Sequence, residues 1–182
     1  AIDHWRHMAE VSHAQSDERL GAVPRSTDYW RPYAAQFRAN PRGLGDDLVD
    51  HLLEFVGPDD TVIDVGAGGG YLALPVALNC RSLVAVEPSD NMASVLTQQA
   101  QESGMENVSV VQNQWQDAVV DAVDVVLCAH VLHTIRDIGE FAKKLESHAR
   151  KIVLVMVHNA PHQSQIYALW KEVHGMERLD LP

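Results

Sequence analysis

The chain has 182 residues, 46% of them apolar, with 25 carboxylates against 14 lysines and arginines and a formal net charge of −11. That length suits one domain with a proper buried core, and the acidic balance with no basic stripe counts against a phosphate-tracking surface, so no nucleic-acid partner is expected. No apolar run approaches the ~18 residues of a membrane span and residues 1–20 carry no signal peptide, so no membrane partner is expected either.

Residues 1–27 are polar without a clear period and read as mobile or loosely helical. Tyr29, Trp30, Tyr33 and Phe37 then fall in one short stretch, 28–37, at a spacing that builds an aromatic face on a helix packed against the core. Pro41 and Gly43-Leu44-Gly45 mark a break. Residues 46–55 read as an amphipathic helix ending near Gly57-Pro58. Short apolar strands follow at 61–66, 82–87, 107–112, 123–129 and 151–158. Helical stretches near 70–79, 89–103, 136–149 and 162–174 alternate with them. Such alternation implies right-handed βαβ crossovers and an α/β fold, a doubly wound, Rossmann-like parallel sheet. The domain reading is an N-terminal helical lid at 1–45 and a cofactor-binding domain at 46–182. The basic residues Lys143-Lys144 and Arg150-Lys151 read as a solvated helix face. Cys80 and Cys128 give no disulfide framework and read as small core residues in a reducing, cytoplasmic setting. The ten histidines show no metal-ligand spacing, so no metal is expected.

The first strand ends in Asp64 and opens into Gly66-Ala67-Gly68-Gly69-Gly70, with helix-compatible residues from Leu72 onward. Strand, glycine turn and helix start make a nucleotide-binding corner. A dinucleotide fingerprint would require a third glycine where Tyr71 stands. The acid two residues before the first glycine suits a ligand with a cationic ammonium group and would repel a pyrophosphate. The second strand ends in Glu87-Pro88, about twenty residues past the glycines, the spacing at which an acid accepts hydrogen bonds from ribose hydroxyls. Taken alone, Glu87 fits NAD as well. The third strand turns polar at Asn113-Gln114-Trp115, and the fourth leads into Ala129-His130-Val131-Leu132-His133.

The run from Asp64 to Gly70, with Glu87 and the blocks after strands three and four, resembles the class I methyltransferases that use S-adenosyl-L-methionine. Within them it is similar to the small-molecule branch related to quinone biosynthesis. The likeness covers residues 28–158. It implies that Asp64, Gly66, Ala67, Gly68 and Gly70 receive the methionine and ribose parts of the cofactor, that Glu87 with Pro88 holds the ribose, and that Gln114 meets the adenine amine. Trp115 either stacks on the adenine or fills the core. Backbone at Ala129 contacts the methionine amino group, Tyr33 lies near the methionine end, and His130 is the candidate base; His133 reads as a packing or capping residue. The family's sheet has seven strands, so a chain with five reads as truncated after the fifth. Ile152–Val157 would then be a strand built for burial on both faces, with an open edge through which copies could associate. The function implied is methyl transfer to a small-molecule acceptor. A non-catalytic member of the fold that binds cofactor or a partner remains open, as does an NAD-dependent oxidoreductase.

Overall fold

In the computed structural model, residues 2–20, 28–38, 40–42, 46–158, 167–175 and 177–178 are described. Five parallel strands form one sheet: β1 (Thr61–Val65), β2 (Ser82–Val86), β3 (Val108–Val111), β4 (Val123–Ala129) and β5 (Ala149–Met156). Their order is β3-β2-β1-β4-β5. The order reverses between β1 and β4, and a crevice opens outside the carboxyl ends of the strands at such a point. The helices are α1 (Ile2–Leu20), α2 (Asp47–Leu53), α3 (Ala73–Ala77), α4 (Asp90–Glu102), α5 (Ile138–His148) and α6 (Tyr167–His174). None of the described helices is long and apolar enough to cross a membrane.

Strand alternation divides the core into two layers. Val62, Leu83, Ala85 and Val125 face Leu74 and Val76 of α3 and Leu96 of α4. Ile63, Val65, Val86, Val126 and Cys128 face Trp115 and the α5 residues Phe141 and Leu145. Asp64 shares the face of Val62, so it points toward the layer of α3 and α4. Its register partners are Ala85 and Leu127. Two helix starts are capped by side chains. Asp46 Oδ1 accepts from Leu48 N at 3.0 Å, and Ser89 Oγ accepts from Met92 N at 3.1 Å.

Several expectations need correction. Residues 2–20 form a regular helix, α1, which lies along α5: the Trp5 indole donates to Ile135 O at 2.8 Å, and Arg6 pairs with Asp137 at 3.1 Å. The aromatic stretch is a strap of turns closed by a short 3-10 helix at Ala34–Phe37. Its aromatic rings stay exposed and pack on one another, Tyr29 against Trp30 and Tyr33, Trp30 against Phe37. The buried residue of the 3-10 helix is Ala34, so the aromatic spacing did not find core surface to cover. Strand β5 is the edge of the described sheet, as expected, but the apolar run is not buried on both faces: Val155 is 44% exposed and Val157, just past the strand, 61%, with no described strand on one flank to match β4 on the other. The basic residues are not a solvated helix face. Lys143 pairs with Glu140 at 2.7 Å, but Lys144 turns onto backbone carbonyls; Arg150 and Lys151 lie on β5 and meet Asp124 and Asp60. Residues 162–166 of the last expected helix lie outside the described residues.

Candidate active site

The crevice is framed by the turn after β1, the ends of β2 and β3, and the loop after β4. Asp64 is the last polar residue of β1 and is 2% exposed. Its carboxylate accepts no hydrogen bond among the described residues. Burial, with the charge of Glu87 second, pushes its pKa up to about 7. A buried carboxylate without a partner is a costly arrangement that a cationic ligand would relieve.

Glu87 ties two turns together. One oxygen accepts from Gly68 N at 2.8 Å and the other from Ser89 N at 2.8 Å. It is 5% exposed; burial raises its pKa against the lowering effect of those two N–H groups. The glycine turn itself is anchored by Gly66 N and Ala67 N, which donate to Val86 O at 2.8 and 3.3 Å. Gly66 and Gly68 both have positive φ, +74° and +55°. Their bare faces differ. A Cβ on Gly66 would land on Val131 of the loop after β4, whereas one on Gly68 would meet nothing within 4 Å. Gly70 is closed off by Leu74 and Leu96, and Gly69 by Phe37 of the strap. Of the expected glycine positions, Gly68 therefore has open space beside its backbone, whereas neighbouring side chains fill that space at Gly66 and Gly70. Gln99 of α4 fixes the turn from behind, donating to Gly69 O at 2.6 Å.

The strap is pinned at both ends. Asp28 accepts from Ser89 Oγ at 2.6 Å, Asn91 N at 3.1 Å and Asn91 Nδ2 at 2.7 Å, and Arg38 pairs with Glu102 at the other end of α4. Burial works to raise the Asp28 pKa, but the hydrogen bonds from Asn91, Ser89 and Trp30 outweigh it and hold the carboxyl at about 2. Tyr33 sits in this strap, exposed, beside Tyr29. Tyr71, just past the glycines, is exposed and donates its hydroxyl to Asp46 at the start of α2.

Beyond β3, Gln114 is exposed at the rim next to Glu87, whose N–H donates to Val111 O at 3.1 Å. Pro88 is exposed beside it. Trp115 is 3% exposed and faces α5, its ring edge-on to His148 at 5.2 Å. As placed, the indole fills the core and has no face for an adenine; its Nε1 is buried without a partner among the described residues. Ala129 ends β4 opposite Met156, and His130 N donates to Met156 O at 2.9 Å. His130 takes φ +58°, the left-handed region that a β-carbon disfavours. Its ring stacks on His158, with centroids 3.9 Å apart. His133 follows in a 3-10 turn, its pKa lowered by burial and then by His158 and His13.

Sequence reading missed Asp28, Gln99, Val131 and Lys144. Each acts on a residue far along the chain, so no local spacing announced it. Two cavities, of about 380 and 590 Å³, lie on the flank of α4 with β3 and at the amino ends of the strands, and neither includes Asp64 or Glu87.

Comparison with known proteins converges on this same stretch. The sequence family described as "Methyltransferase domain" matches residues 63–155, about half of the chain. The uncharacterized methyltransferase YcgJ of Bacillus subtilis is 30% identical over 106 residues, 55% of this chain and 41% of its own length. The ubiquinone biosynthesis O-methyltransferase of Rickettsia prowazekii is 25% identical over 111 residues, 59% of this chain and 44% of its own. The chain thus matches less than half the length of these curated relatives. Magnesium protoporphyrin IX methyltransferase from Synechocystis PCC 6803, solved with bound SAM, shares the fold at a TM-score of 0.56 and 20% identity, covering 70% of this chain and 72% of that one.

Proposed function

This chain belongs to the methyltransferase-domain family, and on that premise we propose that it binds S-adenosyl-L-methionine in the crevice at the carboxyl ends of β1, β2 and β4 and directs methyl transfer to a small-molecule acceptor. One observation carries the reading: Asp64 is a buried carboxylate with no hydrogen-bond partner among the described residues, at the strand end that opens into the turn where Gly68 offers open backbone. That pair fits a ligand with a cationic amino-acid end and a body that lies against backbone. The cofactor's sulfonium supplies an already activated methyl group.

The chain's own residues then have binding and orienting work. Asp64 would hold the ammonium group. Ala67 and Gly68 would line the cofactor through backbone, with Ala129 at the opposite wall. Glu87 would accept from the ribose hydroxyls with the lone pairs that Gly68 and Ser89 leave free, and Pro88 would flank it. Gln114 would accept from the adenine amine. The 1–45 segment would act as a lid, its strap bringing Tyr33 over the methionine end and excluding water. Where the acceptor is a hydroxyl, His130, the residue that follows the carboxyl end of β4, would take its proton. A small acceptor fits the acidic surface better than a nucleic acid does, and the O-methyltransferase relative supports a hydroxyl. A reducing, cytoplasmic setting suits the buried free thiols of Cys80 and Cys128.

The test is transfer from cofactor labelled in its methyl group to a catechol probe such as caffeic acid. Label in the extracted small molecule supports the reading. Label retained on RNA or protein offered in the same mixture, with none in the catechol, contradicts it.

A further inference from the structure

Lys144 of α5 makes contacts that a surface lysine does not need. Its ammonium donates to three backbone carbonyls, Trp115 O at 2.6 Å, Gln116 O at 3.0 Å and Ala118 O at 2.8 Å. Those are all the donors an ammonium has, and it joins no ion pair among the described residues. The ammonium also stands 4.9 Å from the centre of the Trp115 ring. His148, one turn further along α5, meets the same indole edge-on at 5.2 Å.

The carbonyls belong to one helical turn. Asp117 N and Ala118 N donate to Gln114 O at 3.0 and 2.9 Å, and Asn113 Oδ1 accepts from Gln114 N at 2.9 Å at the start. Lys144 therefore caps the carboxyl end of a turn whose amino end carries Gln114. That amino end lies at the crevice rim, because β3 runs beside β2 and Val111 O accepts from Glu87 N. A base attached to a ribose held at Glu87 would extend toward Gln114.

We propose that Lys144 is a positioning residue for the adenine: it clamps the Gln114–Ala118 turn so that the Gln114 amide stands ready at the rim. The inference rests on the functional reading above. Without the ammonium, three converging carbonyls lose their cap and the turn loses its fixed orientation, while the indole keeps most of its core contacts. The consequence falls on recognition of the base more than on the fold.

The experiment compares two ligands by calorimetry: S-adenosylhomocysteine and its analogue whose purine lacks the exocyclic amine. The parent should favour the adenosyl form by tenfold or more. In Lys144→Met, the dissociation constant for S-adenosylhomocysteine should rise at least tenfold while that of the analogue rises no more than about threefold, so the preference collapses. Lys144→Arg should restore the preference in part. If Lys144→Met fails to fold, Lys144→Gln, which keeps neutral donors, gives the same readout. An unchanged preference in the variant, whether both ligands weaken together or neither does, overturns the proposal. A parent that binds neither ligand overturns the functional reading first and this inference with it, so the two failures are distinguishable.

Discussion

Replacing Asp64 by asparagine should raise stability relative to the parent as the pH rises from 5 to 8 and destroy the capacity to hold a cationic ligand. The folded-state carboxyl keeps its proton to about pH 7, whereas an unperturbed one releases it at 3.8. The folded chain therefore binds more protons in that window. Its stability is greatest below the unfolded value and is lost as the pH rises through about 7. Each pH unit of that window is worth about 1.4 kcal/mol. Most of the loss between pH 5 and pH 8 accumulates below pH 7, which gives roughly 2–3 kcal/mol over that interval. Asparagine does not titrate, so the stability of Asp64→Asn relative to the parent should climb by that amount from pH 5 to pH 8. The cost of a buried amide, about 1–3 kcal/mol, shifts the whole curve and leaves its slope alone. Urea denaturation of both proteins at several pH values, extrapolated to water, measures the slope. A difference that stays flat across pH 5–8 would show that Asp64 is not a strained buried acid and would remove the physical basis of the site.

Four further outcomes follow from the same geometry. Glu87→Ala should weaken S-adenosylhomocysteine binding by about 1–3 kcal/mol, measured by calorimetry; unchanged affinity would reduce Glu87 to a brace between two turns. Gly68→Ala should retain the fold at a cost of about 1–2 kcal/mol from the positive φ and lose most ligand affinity, since the added methyl enters open space. Gly66→Ala should instead lower the melting temperature sharply, because its methyl lands on Val131; equal thermal shifts for the two variants would contradict the assignment of one glycine to ligand and the other to packing. Asp28→Asn should release the strap from the start of α4, seen as faster amide exchange over residues 28–38 with α4 itself still protected, and unchanged exchange there would mean that Arg38 and Phe37 hold the strap without it.

Much of the fold was legible because parallel strands are buried on both faces and read as continuous apolar runs. Leu83–Val86 and Val125–Cys128 announce themselves in this way, Val62–Val65 does so but for Asp64, and the observed strand ends fall within two residues of the expected ones. Asp64 and Glu87 were legible because each is a lone acid at the end of such a run, beside glycines. What escaped reading depends on partners distant in sequence. The 29-30-33-37 spacing has a helical look, yet no core surface was left for those rings, and they cluster outward. Trp115 was ambiguous because its direction is set by Lys144 and His148, which lie on another helix. The neighbour of Gly66 could not be read from the sequence: Val131, which fills the space beside it, lies in the loop after β4. Lys144 looked like one cation in a charged run, since nothing local marks three carbonyls waiting for it.

The central claim is that the buried acid and open glycine after β1 receive an adenosyl amino-acid cofactor. Calorimetric titration with S-adenosylhomocysteine and with NAD, side by side at pH 6 and pH 8, tests it most directly. The expected result is one site for S-adenosylhomocysteine, tighter at pH 8 as Asp64 ionises to meet the ammonium group, and no heat from NAD. Saturable NAD binding with no response to S-adenosylhomocysteine at either pH would contradict it.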